Sequence, residues 1–167
     1  FPLRHRIPTC GFLFREKPKL RHLNGLLANE LQIPISQRFG IKQGNDYIAP
    51  DGTIYKNAEL TSDADRQCSY AFMSDTIKLP KAIDWIKDVD LLYHEATYAD
   101  DNLKRAKDNY HSTARQAAEI AKEANVGKLI IGHYSNRYKD LNPLLNEAQS
   151  VFPNTFLSYD GAKFEVK

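Results

Sequence analysis

The stretch that most constrains this chain spans residues 89–137, VDLLYHEATYADDNLKRAKDNYHSTARQAAEIAKEANVGKLIIGHYSNR. Two short apolar runs, residues 89–93 and 128–131, have the length and aliphatic content of strands. Each runs straight into a histidine, His94 and His133. Between them lie a third histidine, His111, and a helix. Ser112 and Thr113 precede that helix, and Gln116 follows Thr113 by three residues, the spacing of a capping box. Ala114, Ala117, Ala118, Ala121 and Ala124 form a narrow stripe that lets the helix lie close against a sheet, and Gly127 ends it. Strand, helix and strand in succession predict a parallel crossover, and a parallel sheet presents its chemistry at the C-terminal ends of its strands.

The flanking sequence extends the pattern. Residues 67–73 (QCSYAFM) read as a strand ending at Ser74-Asp75-Thr76. Pro80 opens a short helix, with Ile83, Ile86 and Leu79 on its core side. Residues 1–15 read as extended around Pro2 and Pro8. A helix over 143–151 and strands over 156–159 and 163–166 complete the α/β reading. Residues 16–66 are the least regular part. Residues 20–31 have helical spacing weakened by Gly25, and Pro34, Gly40 and Gly44 break regularity after it. A turn at 49–53 follows. Lys17, Lys19, Arg21, Arg38 and Lys42 make the region locally basic. It reads either as a solvated insertion or as an arm that touches phosphates.

At 167 residues the chain suits one domain, and 42% hydrophobic content is enough for a core. A net charge of +2 gives no global basic field, so nucleic-acid binding must come from a local patch. Cys10 and Cys68 each stand alone in apolar context and read as buried, reduced thiols in a reducing compartment. No apolar run is long enough to span a membrane, and no signal peptide is visible. The chain opens on FPLRHRIP without an initiator methionine, and a piece of a longer protein is expected.

Asp75, His94, His111 and His133 all follow strand ends or precede a helix start. Imidazoles and a carboxylate on one sheet edge suit Zn²⁺ or Mn²⁺, and a carboxylate such as Asp75 can bridge two ions. Glu95, directly after His94, can hold an imidazole's tautomer. His111 at a helix N-terminus suits a phosphate, to which a protonated imidazole can give a proton. Any one of these residues alone is more often structural; their joint spacing favours function. A dinuclear site needs more donors than this chain offers.

The motifs HEAT at 94–97, HST at 111–113, GHYSNRY at 132–138 and SDT at 74–76, with PLRHR at 2–6, resemble ribonuclease Z, the tRNA 3′-processing endonuclease. The resemblance implies an α/β fold, the C-terminal half of a metallo-β-lactamase-type αββα sandwich, with residues 16–66 containing an inserted arm, or exosite, that grips the tRNA elbow. It implies a site for two Zn²⁺ ions, with Mn²⁺ or Mg²⁺ as alternatives. His5 and His133 would each bind one ion and Asp75 would bridge both. His111 would donate a proton to the leaving 3′ oxygen, oriented by Glu95, and Ser135 and Arg137 would contact the scissile phosphate. It implies precursor tRNA as substrate. The sheet edge that the missing half would cover is expected to be paired in a homodimer or disordered, and the cysteine usage and hydropathy lead to the expectation of a cytoplasmic location and no membrane association. Two departures stand out. The family's Gly-Pro-rich arm tip here reads IPISQRFG, and the HxHxDH motif, which supplies four of seven metal ligands and the general-base aspartate, is absent. The chain alone is therefore expected to be inactive. The alternatives are a non-catalytic RNA-binding or dimerisation module, or another phosphodiesterase of the same fold.

Overall fold

Alternate residues of the central strands, aliphatic or small except for His94, gather on one side of a five-stranded sheet. Its strands are β1 (Phe12–Arg15), β2 (Ser69–Met73), β3 (Leu91–Glu95), β4 (Lys128–Gly132) and β5 (Thr155–Leu157). They are ordered β5-β4-β3-β2-β1. β2 to β5 run parallel, and β1 pairs antiparallel with β2. The register sets Ala71, Leu92 and Leu129 in one cross-strand row and Met73, His94 and Ile131 in the next. All six are fully buried. The computed structural model describes residues 1–166. They form two compact units: Phe1–Glu16 with the chain from Cys68 on, and Lys17–Gln67.

In the first unit the helices are α1 (Ala82–Ile86), α2 (Leu103–Asn109), α3 (Ala114–Glu123) and α4 (Asn142–Gln149). α3 begins with the expected capping box. Thr113 Oγ1 accepts from Gln116 N at 3.2 Å, and Gln116 Oε1 accepts from Thr113 N at 3.1 Å. Its five stripe alanines are all fully buried in the core with Ile120, Leu92 and Leu144. Burying each of those large side chains stabilises by roughly 1.5–3 kcal/mol. α3 ends before Gly127, through Asn125 in the left-handed region at φ 53°. Gly127 is needed for a different reason: a Cβ there would stand 2.7 Å from the Asp90 carbonyl oxygen.

Several expectations are corrected. The strand expected over 89–93 begins at Leu91 and runs through His94 and Glu95. Asp90 instead accepts hydrogen bonds from Ser69 N and Oγ at 2.6 and 3.0 Å. Residues 163–166 form no strand. Phe164 and Val166 line a cavity of about 480 Å³ over Tyr70, Phe72 and Tyr93, on the aromatic face of the sheet. Neither cysteine is buried: Cys10 is exposed and Cys68 half-exposed.

The second unit has its own small core of Ala28, Ile33, Ile41, Tyr47 and Leu60. The helix expected over 20–31 is shorter, Gly25–Glu30, because Asn24 caps it and His22–Leu23 pairs as strand with Thr61–Ser62. The segment after it, expected to be irregular, is a helix, Ile35–Lys42. Pro34 sits just outside its first turn, where a missing N–H costs nothing, and Gly40 lies within it. The 49–53 turn closes a hairpin of Tyr47–Ile48 and Ile54–Tyr55.

Candidate functional site

The site is built around Glu95, the last residue of β3 and fully buried. Burying a carboxylate is costly unless donors surround it, and five do. Oε1 accepts from His111 Nδ1 at 2.8 Å and from the backbone N–H groups of Ser112 and Thr76, each at 3.1 Å. Oε2 accepts from Thr97 N at 3.0 Å and Thr97 Oγ1 at 2.8 Å. Burial pushes the Glu95 carboxyl up, but these bonds and the His111 charge outweigh it, and its pKa lies below the ordinary value. The Glu95 hydrogen bond in turn holds the pKa of His111 above its ordinary value, against partial burial.

Three imidazoles are held alike. The His5 ring places Nδ1 2.9 Å from the Tyr110 carbonyl oxygen, which requires an Nδ1–H donor. His111 donates from Nδ1 to Glu95. Thr97 Oγ1 spends its hydrogen on Glu95, so at 2.9 Å it accepts from His133 Nδ1. His5 and His133 are thereby fixed in the tautomer that leaves Nε2 bare, the arrangement typical of metal-ligating histidines, whereas His111, bonded through Nδ1 to a carboxylate, carries a proton on Nε2 in its charged form.

Chain segments distant in sequence deliver these rings. Hydrogen bonds from Arg4 N to Thr76 Oγ1 and from Ile77 N to the Arg4 carbonyl fasten the His5 segment to the loop carrying Asp75. His5 and His111 have ring centroids 4.9 Å apart, His111 and His133 5.2 Å. Asp75 Oδ1 lies 3.5 Å from His133 Nδ1. Two groups of donors lie within 4.8 Å of one another, His5 with Asp75 and His111, and Glu95 with His111 and His133. His133 sits just past β4 with φ 60°, a left-handed backbone uncommon outside glycine and concentrated at functional sites. Gly132 before it is obligatory, since a Cβ there would collide with the Tyr93 hydroxyl and Ser158 Oγ.

The structure therefore brings His5, Asp75, Glu95, His111 and His133 together. Ser135 and Arg137 lie in the loop beyond His133. Ser135 N donates to the Thr97 carbonyl at 3.0 Å, and the Arg137 side chain is exposed. Two readings are corrected. His94 does not join the edge; it lies inside the sheet, fully buried. Glu95 orients His111, whereas His94 Nδ1 lies 2.6 Å from the Glu95 backbone carbonyl. Nor is the α3 N-terminus open to a phosphate. Ser112 N, Ala114 N, Arg115 N and Gln116 N are consumed by Glu95, the Tyr98 carbonyl, Glu147 and Thr113. Sequence reasoning missed the role of Thr97, although its place in HEAT marked it, and that of the Tyr110 carbonyl, for which a backbone acceptor leaves no signal.

The open imidazole Nε2 atoms of His5 and His133, with the Asp75 carboxylate, fit a borderline divalent metal. No family model matches the chain. Ribonuclease Z of Parabacteroides distasonis is 48% identical over 165 residues, covering 99% of this chain and 54% of that protein. The chain spans about half the length of the curated relatives it matches. Human tRNase Z, short form, superposes with a TM-score of 0.55 at 20% identity, over 100% of this chain and 42% of that one. The metallo-β-lactamase fold protein YhfI from Bacillus subtilis gives a TM-score of 0.55 at 24% identity, over 59% of this chain and 40% of its own. The fold is that of the metallo-β-lactamase proteins.

Proposed function

We propose, from the premise that this chain corresponds to the C-terminal half of ribonuclease Z sequences, that it is the part of a phosphodiesterase that supplies a proton donor and three metal ligands. The substrate is precursor tRNA, cut after the last mature nucleotide to remove the 3′ trailer. The observation that carries this reading is His111, held by Glu95 at 2.8 Å and common to both groups of metal-donor side chains.

His5 and Asp75 would hold one ion, and Asp75 and His133 a second. A bound divalent metal supplies Lewis-acid stabilisation of phosphoryl charge and lowers the pKa of a water nucleophile. As water attacks phosphorus, the P–O3′ bond breaks and His111 delivers its Nε2 proton to the departing 3′ oxygen. Glu95 offsets the His111 charge before transfer, and Thr97 keeps Glu95 and His133 in register. Arg137 and Ser135 hold the scissile phosphate from the loop after β4. The unit Lys17–Gln67 would be the arm that grips the tRNA elbow.

The finer assignments are zinc as the ion, the cytoplasm as the compartment and a homodimer as the assembly. No helix among the described residues is long and apolar enough to cross a membrane. The test is cleavage of a labelled precursor tRNA by the complete protein, with metal removed by chelation and restored. Metal-dependent release of a trailer with a 5′ phosphate is the expected result; a chelator-insensitive or absent cut overturns the reading. The 167-residue chain alone is expected to cleave little, because its donors are fewer than two ions need.

A further inference from the structure

Lys104 and Lys107 lie three residues apart on one face of α2. With Ile77, Lys78, Leu103 and His111 they line a cavity of about 490 Å³, within the ~300–1,000 Å³ typical of small-ligand sites. A second cavity of about 350 Å³ shares Ile77 and Lys107 and continues past Arg4. Lys78 is neutralised by Glu119 at 2.7 Å. Lys104 and Lys107 make no ion pair among the described residues. The adjoining cavity has one acid on its wall, Asp108, and the larger cavity has none. Asp101 and Asp108 border the groove on the far side of Lys104, outside the larger cavity. Two ammonium groups without a direct ion pair, over an apolar floor, suit an anion joined to a flat apolar body.

His111 gives this cavity a direction. Its proton goes to the leaving 3′ oxygen, so the nucleoside bearing that oxygen must lie on the side that His111 lines. We infer that the cavity receives the last nucleotide of the mature tRNA. Its base lies on Ile77 and Leu103, and the phosphate on its 5′ side lies between Lys104 and Lys107. This assignment rests on the proposed role of His111. It makes the two lysines binding residues for the departing product rather than for the trailer.

The test pairs a protein change with a substrate change. The complete protein and its K104A/K107A variant are compared on three precursor tRNAs. One is unmodified, one carries a neutral methylphosphonate on the 5′ side of the last mature nucleotide, and one carries it in the trailer. On the unmodified and trailer-modified RNAs the variant should lose about tenfold in kcat/KM, the worth of a charge-assisted contact. On the RNA neutralised at the mature end the loss should shrink to under about twofold, because the same contact is removed twice. A loss unchanged by that modification overturns the assignment, as does one cancelled only by the trailer modification. If the unaltered protein leaves all three RNAs uncut, the functional reading has failed instead. Equilibrium binding of the same RNAs then reads the lysine contact by the same pattern.

Discussion

Two neighbouring parallel strands, β3 and β4, each lead to a histidine, and the fold uses the two in opposite ways. His94 lies inside β3, with Met73 and Ile131 as register partners, so its ring enters the helix-covered core. It is fully buried, its Nε2 has no hydrogen-bond partner among the described residues, and burial lowers its pKa, which keeps it neutral. His133 stands one residue past the end of β4, at φ 60°, with its side chain 46% exposed and Nε2 open. A strand-borne histidine becomes a site residue where pairing stops before it, and a core residue where pairing continues through it. Between these extremes sits Glu95, still paired with Gly132 yet surrounded by donors from the next loops.

The contrast is tested most severely at the site end. His111→Ala should lower kcat by about 10²–10⁴-fold, the usual worth of a general acid, while the protein stays folded; a single-turnover assay reads it. Thr97→Val removes both the bond to Glu95 and the bond from His133, and should weaken metal binding or activity by roughly 10–100-fold. Titration of the apo protein with zinc separates the two effects. Glu95→Gln acts on pH dependence. Glu95 raises the pKa of His111, so the protonated acid persists to higher pH, and the rate falls only as pH rises through that raised value. Without the carboxylate the value drops, and the alkaline limb of the kcat profile should move to lower pH. An alkaline limb that stays in place would mean that another group is the acid.

The same contrast explains what could be read from the sequence. The alternation of strand and helix, the capping box at Thr113 and the alanine stripe depend on local spacing, and the sequence carries them directly. The convergence of His5, Asp75, Glu95, His111 and His133 came from motif resemblance, because residues 5 and 133 meet only through tertiary contacts. The burial of His94 was hidden because a strand boundary two residues off, 89–93 against Leu91–Glu95, decides whether that ring is inside or beyond the sheet. The closed N-terminus of α3 was also hidden. Its donors are satisfied by Glu147 from α4 and Glu95 from β3, both distant in sequence. In residues 33–45, Pro34 and Gly40 read as breakers, yet a proline before the first turn and a glycine packed near Asn45 both fit a helix.

The smallest expected effect lies at the buried end of the comparison. In His94→Leu the Nδ1–H donated to the Glu95 carbonyl is lost, which costs about 0.5–1.5 kcal/mol. The substitution also removes a buried Nε2 acceptor with no partner among the described residues, and that desolvation penalty is about 1–3 kcal/mol. The side chains are similar in volume, and the neighbours Met73, Leu92 and Ile131 are apolar, so the core accepts leucine without a new cavity. The two terms nearly cancel, and the unfolding free energy from urea titration should shift by less than about 1 kcal/mol, with cleavage within a few-fold of the original protein. A loss above about 3 kcal/mol, or a collapse of activity with folding intact, would show that His94 Nε2 has a partner after all, and that the two strand ends are less different than their backbones make them.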